Sequence, residues 1–302
     1  MWSDKGKYIE IKRHDVLFEE CLRYLNRNQN ELLHSVDMDN KSVRKAVRCE
    51  KECVLIQLEA TDQHLVLSFP IEVPDHNTKA EIVHHVIDWM DLERDLTPFY
   101  QMAEEDRILR KVVPGREGLR IIGVPDLFEA LAWSIMGQQV SLHVAYLLKR
   151  RLVEHFGENM AFNGKDYWMF PEPDKVANLT KENLLSLKFT NRKAEYLLDA
   201  AELISNSRLT KTGLQELPLH EMEKKLTSIR GIGSWSANYV IMRCLRHPDG
   251  FPAADVGLHN ALKKVLGSYS KPSLPEIIEW SQSWTGWRAY ATFYLWMELA
   301  AG

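Results

Sequence analysis

The residues of this chain best suited to chemistry are the turn Gly231-Ile232-Gly233-Ser234 and, further on, Asp255. Two glycines around one apolar residue permit left-handed backbone, and they leave no side chain between the N–H groups of the turn and an approaching anion. The turn joins two stretches of helical periodicity, 219–229 and 234–246, with Ser234 as the N-cap of the second. A helix starting there points free N–H groups and its positive dipole end outward, which makes a phosphate site. Asp255 lies 16 residues beyond Tyr239, within Phe251-Pro-Ala-Ala-Asp255. A phosphate anchor followed by a carboxylate suggests an enzyme that holds a nucleic-acid backbone and works nearby. Taken alone, Asp255 reads as the N-cap of the next helix, a role compatible with a catalytic one.

The charge pattern points the same way. The whole chain carries 38 Lys or Arg against 42 Asp or Glu, a net charge of −4. Residues 224–275 depart from this balance, with eight basic residues (224, 225, 230, 243, 246, 263, 264, 271) and two acids, Asp249 and Asp255. A local basic face on an acidic protein can bind a polyanion; the alternative is a chance cluster on solvated helix faces. No apolar run approaches the length of a membrane span, and the N-terminus lacks the apolar core of a secretory signal. The four cysteines (21, 49, 53, 244) are scattered, as in a reduced intracellular protein. No Cys or His cluster has zinc or iron–sulfur spacing.

The elements that must position these residues can be read in outline. Residues 15–27 show helical spacing of Val16, Leu17, Cys21, Leu22 and Leu25. Two β-rich runs, 54–58 and 65–69, joined by 59–64, predict a hairpin that Pro70 and Pro74 close. From residue 77 nearly every long stretch has helical periodicity: 81–90, 98–111, 126–156, 181–187, 192–205, 219–229, 234–246, 255–266 and 275–299. The expected architecture is an α+β domain over 1–76 followed by a mostly α-helical body over 77–302. The glycine-rich stretch 115–123 lacks the Lys-Ser/Thr of a phosphate loop and reads as a connection between helices.

Residues 226–239, taken with Phe251-Pro-Ala-Ala-Asp255, resemble the helix–hairpin–helix DNA glycosylase superfamily and its Gly-Pro/Asp motif. Gly118-Leu-Arg120, Ile135-Met-Gly-Gln-Gln-Val-Ser141 and Trp287-Arg-Ala-Tyr290 are similar to the 3-methyladenine DNA glycosylase II branch, whose members carry an N-terminal α+β domain. The likeness is strongest over 118–299; over 1–75 only the order of elements matches. It implies two helical subdomains flanking an active-site cleft, with Asp255 at the catalytic aspartate. There the carboxylate would stabilise the positive charge that develops on the sugar as the N-glycosidic bond breaks. Bifunctional relatives carry a lysine two residues after the second hairpin glycine, where it forms a Schiff base. Here that position is Trp235, which cannot form an imine, so a monofunctional enzyme is implied.

Trp235 and Tyr239 share one helix face by their i, i+4 spacing. By resemblance these two and Trp287 line the base pocket, whereas Trp280, Trp284, Tyr290, Phe293 and Trp296 read as core. Electron-rich walls suit a methylated purine, which is cationic and leaves without a dedicated general acid. The target nucleotide must leave the duplex, and Gln139 matches the position of the side chain that fills the gap. Gly231, Ile232, Gly233 and Ser234 would hold the DNA backbone. No side chains for a metal and no required cofactor are implied; the hairpin resembles those that hold a monovalent cation through main-chain carbonyls. The partner implied is damaged double-stranded DNA, bound by a monomer in the cytoplasm on the nucleoid, or in the nucleus. Two other readings stand beside this one: a glycosylase/lyase for oxidised bases, and a non-catalytic DNA-binding module.

Overall fold

The computed structural model describes residues 2–12 and 16–300. The chain opens with strands β1 (Trp2–Asp4) and β2 (Tyr8–Lys12), helix α1 (Phe18–Leu25), and strands β3 (Ser35–Asp37), β4 (Ser42–Arg48), β5 (Cys53–Ala60) and β6 (His64–Ser68). The six strands form one antiparallel sheet in the order β1-β2-β6-β5-β4-β3. The predicted hairpin is β5–β6, and β4 pairs with β5 from Ser42↔Glu59 to Arg48↔Cys53. In β5 the consecutive residues Val54, Leu55 and Ile56 are all buried. That run needs cover on both faces. Val54 and Ile56 join the large core with α1, whereas Leu55 packs with Ala46, Tyr167 and Met169. Tyr167 and Met169 belong to a second hairpin, β7 (Glu158–Phe162) and β8 (Lys165–Met169), inserted in the helical body. The periodicity of this hairpin was too short to register in the sequence.

The helical body comprises α2 (His76–Met90), α3 (Thr97–Glu105), α4 (Leu127–Gly137), α5 (Leu142–Phe156), α6 (Pro173–Ala177), α7 (Lys181–Ser186), α8 (Asn191–Ser205), α9 (Lys211–Gln215), α10 (Leu219–Thr227), α11 (Ser234–Arg243), α12 (Val256–Leu266), α13 (Leu274–Trp280) and α14 (Arg288–Ala300). The fold is thus an N-terminal α+β region followed by a helical body. Three helices predicted as continuous are broken by local chemistry. At 98–111 the Asp106 side chain caps the N–H groups of Ile108 and Leu109. At 126–156 Gln139 turns left-handed, and Ser141 caps α5 by accepting from Val144 N–H. At 275–299 the chain turns at Gly286, φ 86°. The start of the first predicted helix, at Asp15, lies outside the described residues.

The largest apolar core crosses the domain boundary predicted at residue 76. Ile9, Leu58 and Leu67 of the sheet belong to the same cluster as Ile82 and Val86 of α2, Leu262 of α12 and Phe293 of α14. Two further clusters hold α4, α5 and α8 together, and α4, α10 and α11. Residues from the sheet side and the helical side therefore meet along a packed seam.

Candidate active site

Residues 228–233, between α10 and α11, form the hairpin turn. Gly231 has φ 87°, and a Cβ on it would lie 2.2 Å from the Tyr196 ring, so glycine is required there twice over. Gly233 differs from the sequence reading. Its backbone is extended (φ −91°, ψ 178°), and it is the N-cap residue, with Ser234 as the first helical residue. Ser234 caps nothing; its hydroxyl donates to Glu223 Oε1 at 2.6 Å. Nothing lies within 4 Å of a Cβ built on Gly233, so an anion can reach the backbone there. Ile232 is buried beside Leu226, Ile229 and Val240 and roots the turn in the core.

From this turn α11 leads to the carboxylate. Asp255 caps α12, with Oδ1 accepting from Leu258 N–H at 2.8 Å. Trp235 Nε1 donates to Asp255 Oδ2 at 3.0 Å, and Trp296 Nε1 donates to Oδ1 at 2.9 Å. The carboxylate is therefore gripped by three neutral N–H donors. Among the described residues no lysine, arginine or histidine pairs with it. Gly257 is needed beside it, because a Cβ there would lie 2.8 Å from Oδ1. Asn238 of α11 joins the two halves: its amide donates to Glu223 Oε1 at 2.8 Å, and its carbonyl oxygen accepts from Phe251 N–H at 3.1 Å. His259 braces the same loop, with its two ring nitrogens 3.0 Å from the Ala253 and Pro272 carbonyl oxygens.

Trp235 and Tyr239 stack with ring centroids 5.9 Å apart. Trp287, grouped with them from the sequence, is placed elsewhere, against Phe99 at 5.7 Å and Tyr290 at 5.9 Å. Among the described residues it has no ring contact with Trp235 or Tyr239. Trp296, read as core, supplies the second indole at Asp255. No local pattern could have revealed this contact between residues 41 apart in the chain. The Tyr239 hydroxyl is buried, which raises its pKa.

Gln139 is exposed on the loop between α4 and α5, in left-handed conformation (φ 54°). Exposed apolar residues flank it, with Leu142 54% accessible. The loop is held close to the hairpin. Gln138 Nε2 donates to Gly231 O at 2.7 Å and to Ser236 Oγ at 3.1 Å, and buried Lys193 donates to Met136 O at 2.6 Å. The basic segment is less available than its sequence suggested. Arg243 is only 3% exposed and donates to Ile122 O and the Tyr24 hydroxyl, while Arg246 pairs with Asp91. No group of three or more His, Cys, Asp or Glu side chains fit for a metal occurs among the described residues. No helix among them is long and apolar enough to cross a membrane.

Residues 132–285 match the HhH-GPD superfamily of base excision DNA repair proteins, and residues 9–131 match the N-terminal domain of 8-oxoguanine DNA glycosylase. The chain belongs to this superfamily and is a DNA glycosylase of base excision repair, with DNA as its substrate. It is 41% identical to the DNA-3-methyladenine glycosylase of Bacillus subtilis (strain 168) over 99% of both chains. In fold it is similar to a 3-methyladenine DNA-glycosylase from Archaeoglobus fulgidus (TM-score 0.83, 22% identity, covering 95% of this chain and 97% of that one). The Clostridium acetobutylicum 8-oxoguanine glycosylase/lyase shares the fold at TM-score 0.75 and 20% identity, covering 98% of this chain and 97% of that one.

Proposed function

We propose that this glycosylase hydrolyses the bond between deoxyribose and an alkylated purine, of the 3-methyladenine or 7-methylguanine type, in double-stranded DNA. The observation that carries the reading is the Asp255 carboxylate fixed by Trp235, Trp296 and Leu258 N–H, with no cation paired to it among the described residues. Neutral donors hold the group in place without consuming its charge, which remains free to face the cation that forms at C1′. The electron pair of the C1′–N bond goes to the base, which leaves neutral. Water adds to C1′ and gives up a proton, leaving an abasic site on an intact strand. Trp235, in place of the lysine that a lyase needs, supports the monofunctional reading. The name of the Bacillus subtilis relative supports the substrate class.

In this reading the open N–H groups at Gly233 and Ser234 hold a phosphate, and Gln139 fills the gap left by the extruded nucleotide. Trp235 and Tyr239 offer π-faces to the base. Main-chain carbonyls of the turn provide neutral oxygens suited to a monovalent cation. The protein works as a monomer, on the nucleoid or in the nucleus. The test is product analysis on duplexes carrying single alkylated purines. Free base, an unbroken abasic strand and no borohydride-trapped adduct are expected; strand nicking with a trapped adduct would replace this reading with a lyase.

A further inference from the structure

Behind Tyr239, on the seam between the sheet side and the helical body, lies a cavity of ≈ 60 Å³. Three tyrosines line it: Tyr24, Tyr146 and Tyr239. Tyr239 is also the ring on which Trp235, the partner of Asp255, stacks. Tyr239 is thus shared between the cavity lining and the aromatic pair that leads to Asp255.

Four cations line the cavity, and three are committed. Lys149 is bonded to Glu31 and Glu129 at 3.0 Å each. Lys45 donates to Leu33 O at 3.3 Å. Arg243 donates to Ile122 O at 2.7 Å and to the Tyr24 hydroxyl at 2.6 Å. The fourth, Arg27, lies just after α1. Its guanidinium carbon sits 3.6 Å from the centroid of Tyr24 and 5.9 Å from that of Tyr146. Its Nη1 is buried and has no hydrogen-bond partner. A buried, unpaired donor on a charged group is costly unless something fills it. Stacking on Tyr24 fixes the plane of the guanidinium, so its N–H edge is presented as a fork.

We infer that Arg27 is a specificity-determining residue that reads the edge of the extruded purine and favours bases with a 6-oxo group. The inference rests on the base-excision reading above. Guanidinium can only donate. The major-groove edge of hypoxanthine or guanine offers O6 and N7, both acceptors, whereas adenine offers N7 beside an N6 amine that is itself a donor. Methylation at N7 leaves only O6. The preference should therefore be graded: hypoxanthine gains most from Arg27, 7-methylguanine less, and 3-methyladenine least.

The test is single-turnover base release by wild type, Arg27→Lys and Arg27→Met on three duplexes, one for each lesion, with thermal melts to establish the folded fraction. Arg27→Lys retains a charge at the tyrosines and loses the fork. We expect hypoxanthine release to fall about tenfold to hundredfold in both variants, the range for one bidentate base contact. 7-Methylguanine release should fall less, and 3-methyladenine release by no more than about twofold. Equal losses on all three lesions at matched folded fraction, or no loss on any, would overturn the inference. So would a wild type that releases 3-methyladenine but neither 6-oxo purine, and that result would leave the proposed function standing. A wild type that releases none of the three would remove both.

Discussion

Two carboxylate centres in this molecule use opposite means to hold a negative charge. Asp255 is gripped by two indoles and one backbone N–H, all neutral. Glu31 and Glu129, on the domain seam, are clasped by the ammonium of Lys149. Burial alone would raise the pKa of Glu31, but the Lys149 charge, the nearby His34 ring and the Leu33 N–H together outweigh it and bring the value down to about 2. A cation cancels the field of its partner and turns the pair into structure. Neutral dipoles fix position and leave the field intact. The difference separates a charge left free, which the proposed function assigns to the transition state, from one used to lock two parts of the fold together.

The largest effect should follow from removing the kept charge. Asp255→Asn preserves shape and an acceptor oxygen for one of the two indoles, yet single-turnover excision should fall on the order of a thousandfold or more, since a preorganised electrostatic group is lost. Duplex affinity should hardly change, because the turn proposed to hold phosphate lies apart from this carboxyl group. Near-normal excision would erase the distinction drawn between the two centres.

The clasp should fail in the other currency, stability. Lys149→Met leaves two largely buried carboxylates without their ammonium partner, and should cost about 3–5 kcal/mol in urea unfolding. Acid supplies a milder version. The folded pKa of Glu31 lies below its ordinary 4.5, so its stabilisation is present above about pH 4.5 and drains away as pH falls toward 2. Glu31→Gln should flatten that part of the stability–pH profile. An unchanged acid limb would show that other carboxylates govern it.

Smaller effects sharpen the comparison. Trp296→Phe and Trp235→Phe each remove one N–H from Asp255 while keeping an aromatic ring, so each should slow excision about tenfold, the worth of one hydrogen bond to a charged group. Trp287→Phe should not reproduce this if its placement against Phe99 is functionally remote. Equal losses for all three would tie Trp287 to the base after all. The smallest effect concerns salt. Arg230 lies in the turn, 61% exposed and paired with Glu195 and Asp199, so Arg230→Gln should lower the log–log salt slope of DNA binding by at most about 1. Arg243→Gln should instead lower the melting temperature and leave the slope alone.

The sequence exposed this site unevenly, for physical reasons. The hairpin and Asp255 were legible because their chemistry is written in contiguous residues, a turn and a cap. The partners of Asp255 were only half legible. Trp235 sits within the motif, but Trp296 reaches the carboxylate across the packing of α14 on α12, and packing leaves no local signature. Arg243 counted toward a basic face because sequence cannot say which side of a helix is buried. The breaks at Asp106, Gln139 and Gly286 were missed because apolar periodicity runs straight through them. Arg27 could not be placed at all. Its role depends on how the N-terminal sheet docks against helices more than a hundred residues away, with Arg27 meeting Tyr146.

The link from Glu223 through Asn238 to Phe251 N–H makes α11 the calibrated arm of a caliper. One jaw is the open turn at Gly233, the other the carboxyl group of Asp255, and the Trp235 indole is the rivet between them. Both jaws are tied to the same helix, so the hydrogen bonds that join them set the span between the turn and the carboxyl group. Under the proposed function, a strand held at one jaw would meet the other only after its nucleotide swings out of the stack, and reach would become a condition of the chemistry.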